Sequence, residues 1–465
     1  MVSSRSFRIG AVMLLAALCD ACAVEPASPP KVDLPKSWDT AGPASAAAVT
    51  SDWFRGFGSK ELDALIAAAA VGNWDLQAAG ARVRQADARA RAAGAALLPD
   101  VTVGPSGVFY AGHSHDGSAN ETDYGLLMSA SYEIDFWGKN RAAKMSAVAL
   151  REASESDRAV VALTILTGVA KTYFQVVALR ERVELTRQTL RNARQLLQIV
   201  EARRAVDLSN PLEVAQQRAL VSAAEIQVKA MEQQEAEQEA ALATLVGKMP
   251  GTLILNATHL SDFRAPDVSP GMPAELLARR PDVFSAEANL RSAHADLLQA
   301  RAAFFPSVTL TGNTGVQNPA VQAAVLTLPG LGPTVSVGAD IVQTVFDGGR
   351  LRAARDEARG KEEEMLTQYR AAVLAALWDV EVALGSIDRL RQQEEAQKQS
   401  VVENERALAG AQARYQAGSG DFLAVIDAQR TLLSAQEQWN QYELDRLQAV
   451  VGLCKALGGG WMQKY

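Results

Sequence analysis

The chain has 465 residues, with 46 Lys+Arg against 53 Asp+Glu, a formal charge of −7. That mild acidity excludes a nucleic-acid partner, because phosphate binding needs a clustered basic surface. Aromatics at 6% are few and alanine is abundant, which suits closely packed helices better than a thick globular core.

Arg5 and Arg8 precede an apolar run, Ile9 to Leu18, that is too short to span a bilayer and fits a signal peptide. Leu18-Cys19-Asp20-Ala21-Cys22 follows. A cysteine after a small residue at this point resembles a bacterial lipoprotein cleavage site, so residues 1–21 are expected to be a signal and Cys22 a lipid attachment. Asp20 departs from the usual motif, and Cys19, after Leu18, is the alternative attachment. With Cys22 lipidated only Cys454 remains, so no disulfide can form within the chain. Cys454 sits among Val450, Val451, Leu453 and Leu457 and reads as a small buried hydrophobe.

Residues 22–58 are rich in Pro, Ala and Ser, with Trp38, Trp53 and Phe54 as anchors, and read as an extended, lipidated arm. A helix is predicted from Lys60 to Leu98, broken at Gly72-Asn73 and stopped by Pro99. The period then changes. Leu126, Met128, Ala130, Tyr132 and Ile134 alternate with Ser129, Ser131, Glu133 and Asp135, which predicts a strand over 124–135 with one apolar and one polar face. Residues 101–110 form its weaker partner strand, and Ala111 to Asp123 read as a polar loop between them.

From Trp137 to Arg204 there is no proline, and Ile165, Val169, Thr172, Val176, Leu179, Val183, Thr186, Leu190, Ala193, Leu197 and Val200 follow a heptad seam. The helix so predicted is on the order of 100 Å long, more than a globular domain accommodates. After a turn at 206–211 comes a helix over 212–246, then a mixed linker to Pro273.

The plan then repeats. Ala274 to Phe305 is predicted helical, 307–316 and 334–346 are predicted strands, 350–416 a second very long helix and 422–457 its return. Pro99 and Pro306, Arg141 and Arg350, and Val214 and Val425 correspond at an offset of roughly 210 residues. Two repeats, 59–263 and 264–465, therefore organise the chain.

Four strands cannot close a barrel alone, and an open pair of hairpins with an apolar outer face leaves edges and grease exposed. Closure among several copies removes both problems, and the alternation matches strands with lipid outside and a polar lumen inside. The expected architecture is a mixed membrane protein, a hollow tube of β-strands continued by helices.

The segments Tyr132-Glu133-Ile134-Asp135-Phe136-Trp137-Gly138, Leu277-Ala278-Arg279-Arg280-Pro281-Asp282-Val283, Ala303-Phe304-Phe305-Pro306, Phe346-Asp347-Gly348-Gly349-Arg350 and Asp427-Ala428-Gln429-Arg430, with the Cys22 start, resemble the outer-membrane factors of tripartite efflux pumps. The likeness is to the TolC/OprM type and its lipoprotein branch. It implies a homotrimer in the outer membrane with a twelve-stranded β-barrel and a long α-helical periplasmic barrel. It also implies docking to a periplasmic adaptor (membrane fusion protein) and an inner-membrane pump of the RND or MFS type. An exit duct for small toxic compounds is the leading reading; a duct for secreted proteins and a non-pore periplasmic scaffold are the alternatives.

No phosphate loop, nucleophile elbow or paired-cysteine metal motif is present, so no enzyme and no cofactor are expected. His113-Ser114-His115-Asp116 reads as a solvated loop rather than a metal site. The candidate functional residues lie at the two helix turns: Asp207 and Leu208 in the first, Arg414, Tyr415, Asp421 and Phe422 in the second. Repeated in a trimer, the aspartates would form acidic rings, although aspartate also suits a turn or an N-cap. Arg203, Arg204 and Arg414 are the nearest cations, and Leu208 or Phe422 would supply an apolar constriction instead. Tyr415 resembles a latch tyrosine of the family, whereas Gly420 stands where that branch has arginine.

Overall fold

The structure is a computed structural model that describes residues 33–40, 47–114, 117–207, 209–317 and 333–461. Cys19, Cys22, His115 and Leu208 lie outside the described residues. In chain order come β1 (Ala47–Ala48), α1 (Lys60–Gly72), α2 (Trp74–Ala95), β2 (Asp100–Ser114), β3 (Gly117–Ile134), α3 (Lys139–Ala205) and α4 (Pro211–Val246). Then follow β4 (Val268–Ser269), α5 (Pro273–Leu276), α6 (Pro281–Ala302), β5 (Ser307–Gln317), β6 (Pro333–Val342), α7 (Arg350–Gln416) and α8 (Phe422–Ala456). Two compact units divide the chain: Arg82–Glu155 with Ser285–Arg370, and Val32–Ala81 with Ser156–Phe284 and Ala371–Tyr465.

The first unit contains an antiparallel sheet in the order β2-β3-β5-β6. Its register aligns like with like across all four strands. Val101, Ala130, Gly312 and Val337 form one row, and Val103, Met128, Thr314 and Val335 another. The rows between them are polar: Thr102, Ser129, Asn313 and Ser336 pair in line. Because paired residues share a face, period-2 alternation in each strand gives a sheet with one apolar and one polar side. The first hairpin is longer than its sequence suggests: residues 111–114 and 117–123, expected as loop, are paired strand, with His113 opposite Ser118. The polar sequence there hid the alternation; backbone pairing holds the ladder without it. Conversely β6 stops at Val342 instead of continuing to 346, since Val342 pairs with Ser307 and the preceding Pro306 has no N–H to donate.

Strand gives way to helix by the same device in both repeats. The Asp135 carboxylate accepts from the N–H groups of Asn140 and Arg141, and Asp347 from those of Gly349 and Leu351. Gly138 has φ 75°, so α3 begins at Lys139, two residues after Trp137. The indole of Trp137 stacks on Phe305 at 4.7 Å and donates to the Pro306 carbonyl at 2.7 Å. Below the sheet, Ser146 of α3 bonds Ser292 of α6 at 2.9 Å, and His294 of α6 meets Glu362 of α7 at 2.6 Å.

The second unit is built on the heptad seam, where Ile165, Val169, Val176, Leu179, Val183, Thr186, Ala193 and Val200 are buried. Phe57, Tyr173, Phe174 and Phe263 add an aromatic cluster, with Phe57 and Phe174 centroids 5.1 Å apart. The helix expected over 274–305 is two pieces, α5 and α6. Pro281 disfavours helical geometry at Arg280 and starts the next helix instead. Arg280, buried at this break, reaches Asp282, Asp379 at 2.9 Å and the Ala456 carbonyl at 3.2 Å. Against the same break packs Gly458–Gly460, each glycine in the left-handed region. Cys454 is fully buried, and burial pushes its thiol up to about 12.

One polar junction in this unit is incomplete. Asn440 of α8 donates through Nδ2 to Glu181 of α3 at 3.2 Å, which turns its Oδ1 away from the carboxylate. Asn440 Oδ1 and Glu443 Oε2 are both buried without a partner among the described residues. Burial pushes the Glu443 carboxyl up to about 7, helped by Glu181 and Glu394 and opposed by Arg446 and Lys398. A raised carboxyl makes the folded state bind more protons. Its contribution is therefore full below the unfolded value near 4.5 and is lost as pH rises through about 7. After discounting for screening, the loss is on the order of 2 kcal/mol. Thermal melts of Glu443→Gln from pH 4 to 8, scaled to wild type, are expected to lose this slope; an unchanged slope places the titration elsewhere.

Candidate functional site

The two helix turns meet in one apolar core. Leu196 and Val200 of α3 pack with Tyr415, Phe422, Val425 and Ile426 of the second hairpin, and Val214 and Leu220 of α4 close the side. The first turn is set by Asn210, whose side chain accepts from Glu213 N–H at 2.9 Å, with Pro211 at the first helical position. This is an Asn-x-x-Glu cap. The Glu213 carboxylate accepts from the Ser209 hydroxyl and, at 3.2 Å, from the Tyr415 hydroxyl of the other hairpin. Arg203 covers the Tyr415 ring at 4.8 Å to its centroid and donates to the Tyr415 carbonyl at 3.3 Å. Burial and the neighbouring Glu213 push the Tyr415 hydroxyl above its ordinary value, so it is a donor at every physiological pH. Arg203 and Glu213 of the first hairpin, the latter held by Ser209, thus clamp one tyrosine of the second.

The turn residues singled out by sequence separate into different roles. Asp207 is 91% exposed, has φ 52° and pairs with Arg204 at 2.7 Å. Asp421 is the N-cap of α8, accepting from Leu423 N–H at 3.0 Å. Phe422 is only 2% exposed and packs at 5.1 Å from Tyr415, within the core of its own chain. Arg414 is exposed, and the cation against the tyrosine is Arg203. Helix phase decides this, since Arg203 and Tyr415 both face the shared core. Gly420 is explained by space: a Cβ there would stand 2.9 Å from Arg414 Cβ and 3.0 Å from Tyr415 N. Glu213 and Ser209 went unnoticed in the sequence, although the Asn210-Pro211-Leu212-Glu213 cap was there to find.

Among the described residues no cluster of three His, Cys, Asp or Glu could hold a metal ion.

Comparison with known proteins separates this arrangement from any other helical rod. The profile of the family described as outer membrane efflux protein matches residues 65–248 and again 272–459. The chain belongs to that family. The two matched stretches carry the two copies of the helix–hairpin–helix plan, each with its capped strand-to-helix turn. The efflux protein is 43% identical, over 92% of its length and 91% of the relative's, to the pyoverdine export outer membrane protein OpmQ of Pseudomonas aeruginosa. It is 31% identical, over 88% of its length and 85% of the relative's, to the toluene efflux pump outer membrane protein TtgF of Pseudomonas putida. A solved membrane protein of Pseudomonas aeruginosa superposes with a TM-score of 0.86 at 26% identity, covering 93% of this chain and 99% of that one. The efflux protein is an outer-membrane channel component, and its family consists of channels rather than enzymes.

Proposed function

We propose that three copies of this chain assemble into a twelve-stranded barrel across the outer membrane, continued by the helices as a periplasmic duct. Small molecules leave passively through it, driven by an inner-membrane pump joined through a periplasmic adaptor. The observation that carries this reading is the register of the sheet: every apolar row lies on one face, and β2 and β6 are edges with no partner among the described residues. Such a sheet is stable only when its edges pair and its apolar face meets lipid. Cys22 is the proposed lipid attachment, a secondary anchor beside the barrel. The resemblance at 43% identity puts an iron-chelating siderophore of the pyoverdine kind first among the cargoes to test, ahead of solvents.

Purified protein should give stable ion conductance in planar bilayers and the mass of a trimer in detergent. A monomer without conductance would leave only the scaffold reading. Deletion of the gene should lower siderophore release into the medium or raise sensitivity to toxic compounds. Release and sensitivity both unchanged would remove the small-molecule cargo.

The clamp on Tyr415 is the proposed lock of the resting tube, because the hairpins cannot part while Arg203 and Glu213 hold it. The cation–π contact contributes about 0.5–2 kcal/mol and the hydroxyl–carboxylate bond about 1.5–3 kcal/mol. Arg203→Ala combined with Tyr415→Phe is therefore expected to raise the open population at least tenfold in bilayer recordings, with Arg414→Ala near wild type. Equal conductance in the double variant would show that the tips close by other contacts.

A further inference from the structure

Behind their aspartate caps, the long helices open with basic side chains. Helix dipoles favour carboxylates in the first turn, yet neither α3 nor α7 has an acidic residue there. Instead Lys139, Arg141 and Lys144 open α3, and Arg350, Arg352 and Arg355 open α7 at the equivalent point of the second repeat. Part of this charge is matched: Lys139 pairs with Glu133, Arg141 with Asp135 and Arg355 with Asp356. Arg350 faces Asp347, whose carboxylate is already taken by two backbone N–H groups. Lys144, Arg352 and Arg301, the last at the end of α6, are exposed and have no ion-pair partner among the described residues. Exposed cations grouped at this level with no partner within the unit point to an anion outside it.

Position identifies the anion. Phe136, Phe305 and Phe346 are exposed at the strand–helix junctions, as aromatic side chains are at a membrane–water boundary. Lys144 lies five residues into α3, about 8 Å along the helix, so its long side chain reaches back into a headgroup layer about 6 Å thick on each side of the hydrocarbon. The same lysine lines a groove of about 510 Å³ with Leu97, Met145 and Val148, beside Arg141, Arg291 and His294. Apolar walls beside cations suit an anion that carries a hydrocarbon tail.

We propose that this basic belt binds anionic phospholipid in the periplasmic leaflet, with one lipid seated in the Lys144 groove. The inference rests on the outer-membrane reading of the sheet.

The test uses the full-length assembled protein, delipidated in detergent and titrated with phosphatidylglycerol or with phosphatidylcholine of the same chains, bound lipid being counted by native mass spectrometry. Near-surface cations strengthen anionic lipid binding roughly fivefold each. Phosphatidylglycerol should therefore be retained at least tenfold better, the preference should shrink in high salt, and Lys144→Gln/Arg301→Gln/Arg352→Gln should remove most of it. Glycerol 3-phosphate should not compete, because it has no acyl chain for the groove. Equal retention of the two lipids, an undiminished preference in the triple variant, or competition by glycerol 3-phosphate overturns the proposal. Conductance in pure phosphatidylcholine bilayers separates the two readings. Insertion without lipid preference sinks the belt alone, and failure of wild type to insert in any bilayer removes the membrane reading with it.

Discussion

Gly458→Ala is expected to disrupt the second unit by more than about 3 kcal/mol, the sum of a left-handed backbone penalty and severe overpacking. A Cβ at this position would stand 1.9 Å from the Arg279 carbonyl oxygen, on a backbone with φ 83°. Nothing flexible lies there to move aside, because the obstacle is the peptide preceding Arg280, and Arg280 is fixed by Asp282 and Asp379. Gly460 is confined in the same way by the Thr50 backbone at 2.1 Å, whereas Gly459 meets the Leu163 side chain at 2.4 Å. Gly360 is the control. It lies inside α7, and a Cβ there would meet nothing within 4 Å, so Gly360→Ala should be neutral or stabilising by about 0.5–1 kcal/mol. Denaturation followed by circular dichroism separates the two. A Gly458→Ala protein within experimental error of wild type would mean that this turn is not packed as described.

Val337→Arg is expected to cost about 2–4 kcal/mol near the bilayer midplane, enough to deplete the assembled channel from the outer membrane. Val337 occupies the apolar row with Val101 and Ala130 and is 84% exposed in the single chain. Leu126→Arg, on the same face, should behave alike. Ser131→Arg should be milder, because Ser131 aligns with Thr311 and Gly338 in the intervening row on the opposite, polar face. Heat-stable trimer on gels, quantified for all three, is the measurement. Equal loss from both faces would contradict the assignment of one face to lipid.

Much of this fold was legible because periodicity survives without partners. The 4-3 seam of α3 is buried at eight of its eleven expected positions and half-buried at the rest, and Ser129, Ser131 and Glu133 mark the polar face of β3 as the register has it. The Pro281 break was there to be read too, since proline at the head of a helix is a start signal and Arg279-Arg280-Pro281-Asp282 interrupts the apolar pattern. What could not be read was which of several equivalent side chains meets which. Arg203, Arg204 and Arg414 are the same chemistry within a few residues of a turn. Only the rotation of each helix about its axis puts Arg203 over the tyrosine and leaves Arg414 in solvent. The outer part of the first hairpin was missed because its sequence is polar without alternation, so nothing distinguished a ladder from a loop.

The second unit takes its parts from three stretches of chain, and the glycine turn brings Thr50, Leu163, Arg279 and Gly458 into one packed place. Contacts between residues so far apart in sequence form late and slowly. During export the earlier helices therefore spend their time in the periplasm without the piece that completes their packing, their apolar seams open to solvent. This makes the interval before residue 458 emerges the period of greatest exposure to proteases and of greatest need for a chaperone. A chain stopped just short of the glycines would be expected to be degraded rather than inserted, even though nearly all of its helices had already been made.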